Sequence, residues 1–172
     1  MAQKKVCILG AFGVGKTSLV ARFVSSIFSA KYHTNVGVKI DKKDVLVGGR
    51  PVTLVLWDMA GESAVNRLKT LHVNGASGYL LVADGTSQET LEIAVRLRDE
   101  LSAILGDVPF ILVLNKNDLV EEWVIDFSEI DKLRTSGWDV RLSSAKSGEG
   151  VDQIFHDLAE RLIEPEDELH AQ

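Results

Sequence analysis

At 172 residues and 18.8 kDa the chain has the length of one domain, because domains run to about 150 residues apiece. It carries 45% hydrophobic and 26% charged residues with 14 glycines and three prolines, so it can bury a sizeable core and shows no bias toward disorder or fibres. One cysteine, Cys7, excludes an internal disulfide and a cysteine-rich metal site, and a pI near 5.2 without basic residues interleaved with aromatics argues against a nucleic-acid partner.

The net charge of −6 is unevenly spread. Residues 1–50 hold nine lysines and arginines against two aspartates, and the remainder holds ten against 23 acidic residues. A phosphate-bearing ligand or an acidic partner therefore suits the N-terminal third, although Lys39, Lys42 and Lys43 fit a solvated strand face equally well. No apolar run approaches the roughly 18 residues of a membrane span. The opening Met-Ala-Gln-Lys-Lys lacks a signal-peptide core and a glycine for myristoylation, and the closing Glu-Leu-His-Ala-Gln has no cysteine to prenylate. The expectation is a cytoplasmic chain without a lipid anchor.

In chain order, the first element is the apolar run Val6 to Leu9, which predicts a strand covered on both faces with Cys7 as a buried thiol. Gly10-Ala11-Phe12-Gly13-Val14-Gly15-Lys16-Thr17 follows at once, then the helix-compatible Ser18 to Val24. This is GxxxxGK[ST] in the strand, loop, helix setting that the motif requires. Its glycines let the backbone curl so that the N–H groups of Gly13, Val14 and Gly15 and the helix start at Ser18 meet phosphate oxygens. Lys16 then neutralises the β- and γ-phosphates and the Thr17 hydroxyl ligates Mg²⁺.

Two further runs, Val38 to Val47 and Val52 to Trp57, flank Gly48-Gly49-Arg50-Pro51 and predict a hairpin, an antiparallel pair in an otherwise parallel sheet. Tyr79 to Ala83 predicts a second buried strand. Leu91, Ala94, Val95, Leu101, Ile104 and Leu105 recur at helical steps behind Thr86-Ser87-Gln88-Glu89, which reads as a capping box. A third buried strand, Phe110 to Leu114, delivers Asn115-Lys116-Asn117-Asp118 at its C-terminal end, where a sheet of this kind presents ligand contacts. An aspartate there can accept from both N1–H and the exocyclic NH₂ of guanine, which adenine cannot offer, so a buried Asp118 would reject ATP. Val151, Ile154, Phe155, Leu158 and Leu162 predict a last helix, ended by Pro165 and followed by a solvated acidic tail.

These ordered strings resemble a small GTPase of the Ras superfamily, Rab-like or one of the bacterial Ras-like members, over Lys4 to about Leu162. The resemblance implies an α/β fold, a P-loop NTPase G domain with a six-stranded, mostly parallel sheet, one antiparallel edge strand and about five helices. Residues 1–172 would form one G domain with an acidic tail from about 164. Trp57-Asp58-Met59-Ala60-Gly61-Glu62 matches the family's WDTAGQ, so Asp58 would hold a Mg²⁺-bound water and the Gly61 N–H would meet the γ-phosphate. Ser144-Ala145-Lys146 matches the SAK loop, with the Ala145 N–H on guanine O6 and Lys116 stacked over the base. Tyr32 to Val38 falls where the first switch loop lies. The implied cofactors are GTP or GDP with Mg²⁺, and the implied partners are effectors, exchange factors and GTPase-activating proteins.

Three positions depart from the family pattern. Glu62 replaces the glutamine that orients the attacking water. Asn35 replaces the first-switch threonine that reaches Mg²⁺, with Thr34 adjacent, and Phe12 stands where relatives carry a small residue. The candidate catalytic group is thus Lys16, Gly61 and Glu62, and the candidate metal set is Thr17, Asp58 and Asn35. The expected activity is a slow GTPase switch; the alternative is a GTP-loaded binding module that hardly hydrolyses. His33 reads as an exposed loop residue, while His72, His156 and His170 lack a Cys or Asp partner at metal spacing. Trp57, Trp123 and Trp138 read as packing aromatics, and Arg67 as solvated.

Overall fold

The computed structural model describes residues 2–25, 38–59 and 71–163. Its six strands are β1 (Ala2–Gly10), β2 (Val38–Val47), β3 (Arg50–Met59), β4 (Gly78–Asp84), β5 (Phe110–Asn115) and β6 (Val140–Leu142). Four helices alternate with them: α1 (Lys16–Ser25), α2 (Gln88–Leu105), α3 (Phe127–Thr135) and α4 (Val151–Leu162). Residues 71–73 are also helical, a fifth helical segment among the described residues. The strands form one sheet in the order β2-β3-β1-β4-β5-β6, parallel except for β2 against β3. The antiparallel strand lies at the edge, as the resemblance implied.

The near-continuous apolar runs sit where two-sided burial demands them. Every residue of β4 is buried, as are β1 from Val6 onward and β5 beyond Phe110. Helices α1 and α4 pack together, with Phe23 stacked on Phe155 at 4.1 Å between ring centroids, while α2 packs on β4 and β1. Strand order reverses around β1, and the loop after β1 therefore opens into the crevice where sheets of this topology take their ligands. No helix of the described residues is long and apolar enough to cross a membrane.

Two local expectations are corrected. The hairpin turn is Gly48-Gly49 alone, with φ of 57° and 80°, and it closes on the Val47–Arg50 pair. Two successive positive φ angles give the primed turn that matches strand twist. Pro51 lies inside β3 opposite Leu46, one step from the closing pair, where the alternating ladder of an antiparallel pair asks no N–H of it. The capping box does not form either. The N-cap of α2 is Ser87, whose side chain makes no cap bond, and the Thr86 hydroxyl donates to Asp84 Oδ1 at 2.7 Å instead. The buried carboxylate at the end of β4 outcompetes the helix terminus for that hydroxyl.

Neither α3 nor β6 shows a clear pattern in the sequence, because each buries little. Only Ile130 of α3 and Val140 of β6 are buried, and α3 starts instead on the Asp126 side chain, which accepts from the Ser128 N–H at 3.1 Å.

Candidate functional site

The loop from Gly10 to Gly15 leaves β1 and turns into α1 through two glycines in the left-handed region, Gly13 at φ 80° and Gly15 at φ 100°. A Cβ at Gly15 would run into the Asn115 amide. The bare backbone thus lets the loop lie against the end of β5. Lys16, 7% exposed, folds back under the loop and its Nζ donates to the carbonyls of Gly10 at 3.0 Å and Ala11 at 2.8 Å. Burial pushes its amine down to about 8, with Asp58 pulling the other way.

Thr17 donates its hydroxyl to Asp58 Oδ2 at 2.6 Å across from β3. The Asp58 carboxyl, 5% exposed, is pushed up by burial and held back by Thr17 and Lys16. A hydroxyl and a carboxylate facing each other are hard oxygen donors of the kind Mg²⁺ takes, and a buried amine without a full counter-charge suits a polyanion. The donor set fits both a Mg²⁺ ion and a phosphate chain.

The other end of the crevice is built by β5, β6 and the loops that follow them. Asn115, 2% exposed, spends its amide inside the protein: Nδ2 donates to the Val14 carbonyl at 3.0 Å, and Oδ1 accepts from Ser143 Oγ and from the Ala145 N–H, each at 3.1 Å. It is a strut joining the phosphate loop to the loop after β6. The Ala145 N–H, expected on guanine O6, is directed to that strut in this geometry. Ser144 Oγ donates to Asp118 Oδ1 at 2.8 Å, which fixes the carboxylate's direction. Asp118 is exposed rather than buried, so a base seated against it would itself supply the dry surroundings.

Lys116 is the one non-glycine described residue with positive φ, 71°. Such a conformation costs of order 1–3 kcal/mol and persists only where the surroundings impose it. Its Nζ reaches back to the Gly13 carbonyl at 3.0 Å and to Asp84 Oδ2 at 2.8 Å, so its stem spans the crevice wall between β4 and the phosphate loop. Asp84 is a site residue that motif reading missed. Burial would raise its carboxyl, but Lys116 and the Thr86 hydroxyl and N–H hold it below the ordinary carboxylate range. The only hint in the sequence was an acid closing a buried strand.

The structure therefore brings together Gly13, Val14, Gly15, Lys16, Thr17, Ser18, Asp58, Asn115, Lys116, Asp118, Ser144, Ala145 and Lys146. A crevice of about 280 Å³ is lined by Gly13, Gly15 and Ser18 of the phosphate loop and α1 and by Asn115, Lys116, Asp118, Ala145 and Lys146 of the loops after β5 and β6. Thr34, Asn35, Gly61, Glu62 and Arg67 lie outside the described residues. Phe12 is 78% exposed at the loop tip. Elsewhere, His156 does gain acidic neighbours, Asp157 and Glu160 on α4, contrary to the expectation from spacing. Asp157 is already held by Arg141 and Gln153, both at 2.6 Å.

The comparisons agree with this geometry. The Ras family model matches residues 5–164. The chain is 33% identical over 162 residues to the Ras-related protein Rab-21 of Mus musculus, covering 93% of this chain and 73% of the relative. The Rab-21 of Dictyostelium discoideum is 32% identical over 161 residues, covering 92% and 76%, and that of Geodia cydonium 34% over 166 residues, covering 94% and 72%. A phosphate loop, an Asn-Lys-x-Asp string and an SAK loop converge on one crevice across a six-stranded sheet, and this chain belongs to the Ras family of small GTPases.

Proposed function

We propose that the protein is a guanine-nucleotide switch that binds GTP or GDP with Mg²⁺, hydrolyses GTP slowly and signals through its switch loops to protein partners. The observation that carries this reading is the crevice itself, with the phosphate loop and Asp118 at its two ends and Asn115 bridging them. In it, the loop amides and Lys16 hold the phosphates, Asp118 accepts from guanine N1–H and NH₂, and the stem of Lys116 covers the base face. Thr17 and Asp58 are the residues that would hold Mg²⁺, directly and through water, with Asn35 or the adjacent Thr34 as the first-switch ligand. When bound, the ion neutralises charge on the β- and γ-phosphates.

Hydrolysis is slow in this reading because Glu62 places a carboxylate where relatives carry an amide. Like charge repels the γ-phosphate, and the N–H₂ that stabilises transition-state oxygens is lost. Gly61 would contribute its N–H, and the partners would be effectors, exchange factors and activating proteins, met in the cytoplasm. Residues 1–172 would work as one G domain.

The exposure of Phe12 favours a second reading, a GTP-loaded binding module that hardly hydrolyses, because a phenyl ring at the loop tip obstructs any partner's arginine. Identifying the nucleotide that copurifies and timing its turnover after Mg²⁺ addition separates the two. GDP with measurable turnover supports the switch, retained GTP supports the module, and an adenine nucleotide defeats both.

A further inference from the structure

Helix α1 begins at the phosphate loop, but its second half serves the opposite end of the crevice. Arg22 Nη2 donates to the Ser147 carbonyl at 2.8 Å. The guanidinium lies so close to the loop after β6 that a Cβ at Gly148 would stand 2.7 Å from Nη2 and 2.8 Å from Nε. Only a bare residue at 148 admits this approach, and its φ of 89° asks for glycine as well.

The segment that Arg22 grips leads straight to the base-facing carboxylate. The Ser147 N–H donates to Ser144 Oγ at 3.0 Å, and Ser144 Oγ donates to Asp118 Oδ1 at 2.8 Å. The same loop closes on itself through the Gly148 N–H to the Ser144 carbonyl at 2.8 Å and the Ser144 N–H to the Glu149 carbonyl at 3.0 Å. A continuous run of polar contacts thus joins α1 to Asp118 without passing through the phosphate loop.

We propose that Arg22 is a positioning residue for base recognition: it clamps the loop of residues 143–150 onto α1 and so keeps Ser144 aiming Asp118 at the ligand. The proposal rests on the guanine reading above and deepens it, by making α1 the member that ties both ends of the nucleotide together. A guanidinium suits the task because one arm can bond the carbonyl while its planar body lies against the glycine. A lysine can reach the carbonyl with one donor but cannot reproduce that packing.

The test compares GDP with IDP, which lacks the 2-amino group that Asp118 would accept, on the full chain loaded with fluorescent GDP. Arg22→Ala is expected to speed GDP release about tenfold, the loss of one charge-assisted hydrogen bond, and to shrink the preference for GDP over IDP. Arg22→Lys should recover part of both. Ile93→Val, which trims a buried methylene in α2, should lower the melting temperature while leaving the preference intact. If Arg22→Ala weakens GDP and IDP in equal proportion, or weakens neither, the clamp is overturned. A parent chain that binds GDP no better than ADP overturns the guanine reading itself, a result visible before any Arg22 variant is made.

Discussion

At the phosphate end of the crevice the working groups are buried charges. Lys16 and Asp58 are 7% and 5% exposed, both pushed by burial toward their neutral forms, and their internal partners are backbone carbonyls, one hydroxyl and each other. At the base end the carboxylate is exposed and the burial has gone to a neutral strut, Asn115, with three hydrogen bonds. In the proposed reading the difference follows from what each end would meet. A triphosphate and a dication would bring charge enough to offset the desolvation of an amine and a carboxylate. A base would bring only weak donors and an aromatic face, so its reader has to be aimed in advance by uncharged contacts. The phosphate end stores electrostatic potential; the base end stores geometry.

The sharpest way to break this contrast tests the proposed hydrolysis. Glu62→Gln combined with Phe12→Gly is expected to raise basal turnover and to restore response to an activator's arginine, an effect worth roughly 10³ to 10⁵ in rate where such a finger operates. Single-turnover assays of GTP-loaded protein check it. A parent whose rate collapses in Glu62→Gln alone would show the carboxylate to be catalytic in its own right.

Next in size is base choice. Asp118→Asn removes two charge-assisted hydrogen bonds of about 1.5–3 kcal/mol each, which corresponds to about 10² to 10⁴ in GDP affinity. The amide should instead favour xanthine nucleotides, whose C2 carbonyl can accept from it. Competition of GDP, XDP and ADP against a fluorescent ligand measures the switch, and unchanged preference would mean that the base lies elsewhere.

Lys16→Ala and Thr17→Ala test the buried charges. Removing the lysine takes away the buried amine under the phosphate loop and one of the two cations that act on Asp58, and should abolish tight binding of either guanine nucleotide. Thr17→Ala should weaken binding only when Mg²⁺ is present. Calorimetric titration with and without the ion distinguishes the two, and a Thr17 variant equally weak in chelator would contradict the assigned role.

The smallest expected effect is at Asp84, whose hydrogen bonds hold Lys116 across the crevice. Asp84→Ala should speed GDP release about tenfold, consistent with one lost bond to a charged group. Because the folded carboxyl lies below its ordinary range, its contribution is present above about pH 4 and is lost as pH falls through the depressed value. Stability of the parent should therefore drop more steeply below pH 4 than that of Asp84→Asn, as followed by circular dichroism.

The sequence was most legible where chemistry constrains both residue type and spacing. Gly10, Gly15, Lys16 and Thr17 can be placed from their string because few residue types give that curl, charge and hydroxyl. The three central strands were visible because two-sided burial leaves unbroken apolar runs. Asp84 stayed hidden because its partner, Lys116, lies 32 positions away and no local pattern links them. The capping box failed for a local reason: the Thr86 hydroxyl donates to the Asp84 carboxylate two residues before it rather than to its own helix terminus. α3 was missed because one buried residue sets no period, and the structural task of Asn115 as a strut between two loops became visible only once its neighbours in space were known.

The lone thiol of Cys7 has a practical consequence. It is fully buried at the centre of β1, against the His72 carbonyl, and burial pushes its ionisation up to about 12. Thiolate is the reactive form, so alkylating dyes at neutral pH should pass over the folded wild-type chain. A single cysteine introduced at an exposed site, such as Val124 or Phe127, would then be the sole point of attachment, and spectroscopic reporters can be installed without first deleting the native residue.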